Sequence, residues 1–343
     1  MIPSNFSEHK IQNAGERYIL TTYLLIVLLS SLIGDSIILI ASVRYNAIKL
    51  NKFIVAVMQH IAISDLLRSV SYVLPAITSL AYDSWVEGQV PGYIIYFVNA
   101  CSLSSGNILI TFLTTSKLAI VKFPLRARRW SERIAHVICS AIWLFMISLH
   151  GLFLVFCQRT LFFSYIEYNV TVFLQTNFTT KVVNWFVVFS SIIPTFIVIL
   201  ATAAILCHLM KTREVSKRIG GSVRWQGIAA VSATSTVFCV SAIPLAISFF
   251  AATSRSSESK AMVDKVTLVR SSHFISPLNI MSNIYIYWFT IQSFRQFIKS
   301  RVTRLSEFVM RYFSSRATER NDDQPGPIEL SPAGDQSLSF NVL

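Results

Sequence analysis

The sequence predicts an all-α protein: a seven-transmembrane helix bundle with its N-terminus outside, followed by an amphipathic helix on the cytoplasmic side. Three observations carry this. Seven long apolar stretches recur along the 343 residues, Lys and Arg crowd into alternate connections between them, and every Asn-x-Ser/Thr sequon falls in the other connections. The stretches are residues 18–43, 53–82, 93–121, 134–156, 182–210, 225–252 and 266–291. Each is long enough to cross ~30 Å of hydrocarbon as a helix, which takes ~20 residues. A lipid interior offers no water to backbone N–H and C=O groups, so a spanning segment of this composition satisfies them within a helix. The 53% hydrophobic content and the mean hydropathy of +0.55 fit one bundle with short connections.

The net charge is +13, and its placement sets the topology. The connection after the first stretch carries Arg44, Lys49 and Lys52; that after the third carries Lys122, Arg126, Arg128, Arg129 and Arg133. The fifth is followed by Lys211, Arg213, Lys217, Arg218 and Arg224, and the seventh by Arg295, Lys299, Arg301, Arg304, Arg311, Arg316 and Arg320. That places 20 of the 30 Lys and Arg on one side and 8 on the other, so those connections and the C-terminus are cytoplasmic by the positive-inside rule. The sequons at Asn5, Asn169 and Asn177 all fall on the opposite side, where glycosylation takes place. The basic charge lies within a turn or two of membrane segments and points to the lipid bilayer as partner, not to nucleic acid.

Residues 1–17 form a polar extracellular segment, and the first apolar stretch is too long for the core of a cleaved signal peptide, so it reads as a signal anchor. The bundle spans residues 18–292. Pro75, Pro194, Pro244 and Pro277 punctuate its helices, each freeing a carbonyl for a neighbour to satisfy. In residues 293–313, Phe294, Phe297, Ile298, Val302, Leu305, Phe308 and Val309 recur at helical spacing among Arg and Lys, as in an amphipathic helix on the membrane surface. Residues 314–343 turn to Ser, Asp, Pro and Gly and read as a disordered cytoplasmic tail. Ser314, Ser315, Ser331, Ser337 and Ser339 there are candidate phosphorylation sites for recruiting arrestin. The five cysteines read as buried thiols without metal-ligand spacing, and no metalloprotease, nucleophile-elbow or phosphate-loop signature is present. An enzyme is not expected, nor a metal or other cofactor.

The residues within the stretches carry a resemblance. Gly34-Asp35-Ser36 in the first, Ile61-Ala62-Ile63-Ser64-Asp65-Leu66-Leu67 in the second, Trp143 in the fourth and Pro194 in the fifth come in order. Phe238 and Pro244 follow in the sixth, then Asn279, Asn283 and Tyr287 in the seventh, with Phe294-Arg295 seven residues on. In sequence and spacing this set resembles the helix signatures of rhodopsin-like (class A) G protein-coupled receptors, over roughly residues 18–301. The resemblance implies an extracellular ligand, a heterotrimeric G protein, arrestin as a further partner, and a plasma-membrane location.

The departures are specific. Counting back from Pro124, Ser116-Lys117-Leu118 stands where the family carries Asp-Arg-Tyr. Lys117 keeps the charge but lacks the planar five-donor fork of arginine. Ala242 replaces the sixth-helix tryptophan and Ser241 its neighbouring cysteine, Ile284 the seventh-helix proline, and Thr202 the fifth-helix tyrosine. Gly92 occupies the third-helix cysteine position, and residues 158–181 hold no cysteine, so both partners of the family's loop disulfide are missing. By the resemblance, Lys117, Phe238, Pro244, Asn283 and Tyr287 form the switch and G-protein-coupling set.

Asp35, Asp65, Arg68 and Asn279 form a polar cluster inside the membrane, where charges cost several kcal/mol unless paired or hydrated. Asp65 and Arg68 are three apart and share a helix face. In the family the aspartate matching Asp65 often holds sodium, and Arg68 is the residue expected to replace that ion here. The alternative is that Arg68 points into the outer cavity and the acids are partly protonated. Ligand contacts implied by position are Asn99, Ser102, Leu103, Phe186, Ser190, Leu245, Phe249, Arg270 and His273. Asn99 stands where amine receptors place an aspartate and Pro277 where visual pigments place the retinal-linking lysine, which disfavours both ligand classes. Three functions remain open: an unknown small molecule or peptide transduced to a G protein, a receptor fold with weak or lost coupling (a decoy or arrestin-only receptor), and a transporter or channel.

Overall fold

The computed structural model describes residues 14–43, 51–84, 89–127, 129–156, 160–164, 169–173, 188–219, 232–244, 247, 268, 270–272 and 274–322. The first helix, α1 (Ala14–Val43), is 30 residues long, about 45 Å at ~1.5 Å per residue. Its buried positions, Leu24, Val27, Leu28, Ser31, Gly34, Asp35, Ile38, Ala41 and Ser42, follow the three- and four-residue spacing of one helical face. Ile26, Leu29, Ile33 and Ile40 are exposed on the other. Apolar side chains outside and serine, aspartate and arginine inside invert the pattern of a water-soluble protein, as a lipid surround requires.

Asn51 caps α2 (Lys52–Arg68), its side-chain oxygen accepting the Phe53 N–H at 2.9 Å. A π turn, Ser69–Val73, follows and leads into α3 (Leu74–Tyr82), with Pro75 in the first turn of α3, where a missing N–H costs least. Asp83 ends α3 in the left-handed region (φ 54°), and its carboxylate meets Arg17 of α1 at 2.7 Å.

The central helix is α4 (Gln89–Lys122), which packs on α2 and on the sixth and seventh helices below. A single turn, α5 (Pro124–Ala127), leads to α6 (Glu132–Phe156), whose first turn is capped by Ser131 Oγ accepting the Ile134 N–H at 3.3 Å. A second π turn, Val188–Ile192, precedes α7 (Ile193–Ile219). The short apolar helix α8 (Ser232–Pro244) follows, then α9 (Leu278–Thr290) and α10 (Gln292–Asp322). An extended Ile291 (φ −110°, ψ 101°) breaks the chain between α9 and α10.

Among the described residues five helical spans are long and apolar enough to cross a membrane: Ala14–Val43, Lys52–Tyr82, Val90–Lys122, Glu132–Val155 and Phe189–His208. The sixth and seventh expected stretches are described in part, by α8 and α9. The core forms where α1, the π turn after α2, α3 and α9 meet, with Leu24, Val27, Leu28, Tyr72, Val73, Ala76, Leu80 and Ile280 in contact.

Two helices run past their expected ends. Helix α7 continues to Ile219, where the apolar stretch stops at residue 210, and α10 continues to Asp322, where disorder was expected from 314. Hydropathy marks the edge of the lipid, whereas Lys, Arg, Glu and Ala sustain a helix beyond it. Residues 1–13 and 323–343 lie outside the described residues.

The connection between α6 and α7 holds an antiparallel hairpin not anticipated from the sequence, β1 (Thr160–Ser164) paired with β2 (Asn169–Phe173). Its Thr, Phe and Val residues are strand formers, and that composition was the available signal. Among the described cysteines, Cys101, Cys139, Cys207 and Cys239 are free thiols. The segment Gln296–Leu343 forms a second unit, in whose helix the Arg301 guanidinium lies 5.4 Å over the Phe297 ring.

Candidate functional site

The buried faces of α1 and α2 place two acids inside the bundle. Asp35 is 1% exposed and Asp65 4%. Ser31, one turn before Asp35, lies 2.7 Å from Asp35 Oδ2, and Ser69 of the π turn lies 2.7 Å from Ser31. Ser69 Oγ is also 2.8 Å from the Asp65 carbonyl oxygen. Across the bundle, Asn283 of α9 donates from Nδ2 to Asp65 Oδ2 at 2.6 Å. This joins α1, α2 and α9 through polar side chains.

Arg68 does not pair with Asp65. Its guanidinium donates to Ser276 Oγ at 2.5 Å and lies 5.7 Å over the Tyr72 ring. The ion pairs among the described residues are Arg17–Asp83 and His136–Glu132. The i,i+3 spacing allowed the contact, but Asn283 already engages Asp65, and Ser276 and Tyr72 offer Arg68 a hydroxyl and a ring face instead. Replacement of a sodium ion by direct Arg68–Asp65 pairing is therefore not what the geometry presents. Asn279 is buried, with its side-chain oxygen lacking a hydrogen-bond donor.

At the basic end of the bundle, Lys117 of α4 is half-buried, with neither an ion pair nor a hydrogen bond to another described side chain. One turn earlier, Thr114 Oγ1 and Ser235 Oγ meet at 3.0 Å and tie α4 to α8. Phe238 is 1% exposed, and its carbonyl accepts from Ser241 Oγ at 2.9 Å. The Pro244 carbonyl accepts from Ser272 Oγ at 3.0 Å. Tyr287 is buried, hydrogen-bonded to Thr234 of α8 and edge-on to Phe294, with ring centroids 6.3 Å apart. The expected switch residues Phe238, Asn283 and Tyr287 thus all lie in the interior.

The expected ligand contacts divide. Asn99 and Leu103 are half-buried on α4, and the Asn99 side-chain oxygen is enclosed without a donor. Ser102 is fully buried and returns its hydroxyl to its own helix at Val98 O (2.8 Å) and Asn99 O (3.0 Å), while its carbonyl accepts from Ser64. Ser190 is likewise buried. Both serines meet a neighbouring helix through their backbone carbonyls, that of Ser102 accepting from Ser64 and that of Ser190 from Asn107. Arg270 is half-buried. Phe186, Leu245, Phe249 and His273 lie outside the described residues, as do Asn5 and Asn177; Asn169 opens strand β2.

Asn107 is a residue that the sequence reading missed. Pro194 has no N–H to give the Ser190 carbonyl one turn earlier, and Asn107 Nδ2 fills that place at 3.2 Å, with Ser191 Oγ at 3.1 Å. The available signal was the proline itself, which predicts an orphan carbonyl but not its donor. Asn107→Leu should cost about 2 kcal/mol by stranding that buried carbonyl, read as a lowered thermal midpoint of the purified protein; an unchanged midpoint would remove Asn107 from this role. Two further cross-helix pairs were missed: Ser104 with His150 at 3.1 Å, and His60 with His136 at 3.1 Å. Among the described residues no three His, Cys, Asp or Glu side chains gather into a metal site.

Residues 34–287 match the family model for the 7 transmembrane receptor (rhodopsin family). That interval runs from Gly34 of α1 to Tyr287 of α9, and the chain belongs to this family. It is a rhodopsin-like G protein-coupled receptor, a multi-pass protein of the plasma membrane and not an enzyme. Family membership implies an extracellular ligand and a G protein as partners. No curated protein matches the chain.

Proposed function

We propose that this receptor lies with its N-terminus outside and its basic end in the cytoplasm, and that it couples an unidentified small molecule or peptide to a heterotrimeric G protein through Lys117. Ligand binding at the outer end would favour a conformation whose inner face accepts the G protein, a population shift driven by the ligand's differential affinity for the two states. The observation that carries the reading is the Lys117 ammonium, half-buried beside the Thr114–Ser235 contact and without an ion-pair partner among the described residues. In the family the matching arginine is restrained by a neighbouring carboxylate, which Ser116 lacks. Parting α8 from α4 at Ser235 would open the cavity in which Lys117 meets the partner. Phosphorylation of the serine-containing tail would recruit arrestin.

Basal G-protein activation in cells, matched for surface expression, tests this. Wild type should signal, and Lys117→Ala should lose about tenfold, the loss of one hydrogen bond to a charged group. A silent wild type restored by Lys117→Arg would favour the decoy or arrestin-only reading, and equal signalling from wild type and Lys117→Ala would remove Lys117 from coupling. Family membership sets aside the transporter or channel reading.

A further inference from the structure

We propose that His60 and His136 form a two-imidazole site for a divalent transition metal of the zinc class, which clamps α2 to α6 at the basic end of the bundle. The two residues are 76 positions apart in the chain, and the fold brings His60 Nε2 to 3.1 Å from His136 Nδ1. Their ring centroids are 5.3 Å apart and the planes are inclined at 59°. Two imidazole nitrogens from different helices thus face each other. Metal–nitrogen bonds of ~2.05 Å at a tetrahedral angle hold two ligating nitrogens ~3.3 Å apart. The pair stands within a few tenths of an ångström of that separation.

A third side chain sets the tautomers. Glu132, one turn before His136 on α6, brings its Oε1 to 3.8 Å from His136 Nε2. A carboxylate on that side favours the hydrogen on Nε2, which leaves the His136 Nδ1 lone pair turned toward His60. Without metal, the hydrogen on His60 Nε2 fills the contact. With metal, that hydrogen is carried on His60 Nδ1, in the other neutral tautomer, and the cation takes its place between the two nitrogens. No proton is gained or lost. A carboxylate behind a ligating imidazole is also the usual outer partner of a metal-bound histidine, where it fixes the ring and raises its basicity.

Access and selectivity follow from position. The side chain of His136 is 42% exposed and that of Glu132 49%, and Arg133 beside them is exposed. Charged residues in the first turn of α6 mark the edge of the membrane span, where water can complete the coordination. Imidazole suits zinc, copper and nickel, whereas magnesium and calcium take oxygen ligands. Two protein ligands in place of four predict an affinity below that of a structural zinc site. Because the two nitrogens belong to different helices, a metal that binds both favours the arrangement in which α2 and α6 stay together, by mass action.

Zinc chloride added to the purified full chain in lipid nanodiscs tests this. The thermal midpoint of wild type should rise with Zn2+, return with EDTA and show no response to Mg2+. His60→Asn and His136→Asn should each abolish the rise, and Glu132→Gln should keep it but require about tenfold more Zn2+. A wild type that does not respond, or a rise that survives either histidine substitution, overturns the proposal. Should both histidine variants fail to fold, paramagnetic resonance of Cu2+ bound to wild type decides. Splitting by two nitrogens is expected, and splitting by one or none overturns the site.

Discussion

Asn283→Leu is expected to destabilise the receptor by about 3 kcal/mol, roughly a hundredfold in the folded-to-unfolded ratio. Asp65 is 4% exposed, and Asn283 Nδ2, 2.6 Å from its Oδ2, is the side-chain donor that reaches its carboxylate. Leucine fills the volume but offers no hydrogen, leaving a buried charge without its hydrogen bond, and such bonds to charged groups are the strong ones. The loss also unties α9 from α2. Asn283→Ser, with a shorter donor, should fall between wild type and Asn283→Leu. Asp65→Leu combined with Asn283→Leu should recover much of the loss, because removing both partners leaves nothing unsatisfied. Thermal midpoints of the purified proteins measure all three. A double variant no more stable than Asn283→Leu alone would show that the pair is not the source of the effect.

Gly34→Ala should cost about 2 kcal/mol by overpacking, from the addition of a single carbon. A Cβ built at Gly34 would lie 2.6 Å from Ile284 Cβ, 2.9 Å from its Cγ2 and 3.2 Å from its Cγ1. The backbone of α1 therefore rests against the Ile284 side chain of α9 here, with glycine as the residue that permits it. The closest clash is with Cβ itself, which gives the prediction its selectivity. Ile284→Ala leaves that atom in place and should not rescue Gly34→Ala, whereas Ile284→Gly should, measured as a coupling energy in a double-mutant cycle. Equal rescue by both would mean that the outer methyl groups, not the backbone approach, set the distance.

The bundle was legible in the sequence because lipid imposes a simple demand: long apolar stretches with charge between them. The first four stretches, 18–43, 53–82, 93–121 and 134–156, agree with the helical spans to within a few residues at each end. What was hidden depended on geometry between helices. Asp65 and Arg68 share a face by spacing, yet competition from Ser276, Tyr72 and Asn283 sends them apart. Ser102 and Ser190 sit at positions where relatives meet ligands, yet each is buried and engaged with a neighbouring helix. Spacing along one helix says which residues share a side; it does not say which partner on another helix wins. The hairpin of β1 and β2 escaped for a different reason: its apolar residues, among them Leu161, Phe162, Phe163, Val170 and Val172, come in runs of a few residues, too short to stand out beside the long membrane stretches.

The π turn at Ser69–Val73 has a consequence for descent. A helix advances about 100° per residue, so one residue added to a turn swings everything beyond it around the axis. Ala76, Ser79 and Leu80 face inward because of that extra residue, and Tyr72 and Val73 join them in the core. A lineage that lost a single codon between 69 and 73 would turn those side chains to the lipid and bring others in, remodelling the outer wall of the bundle without any change of residue type. Such a deletion would alter what this end of the bundle presents more than most point substitutions, while the signature residues around Asp65 stayed in place.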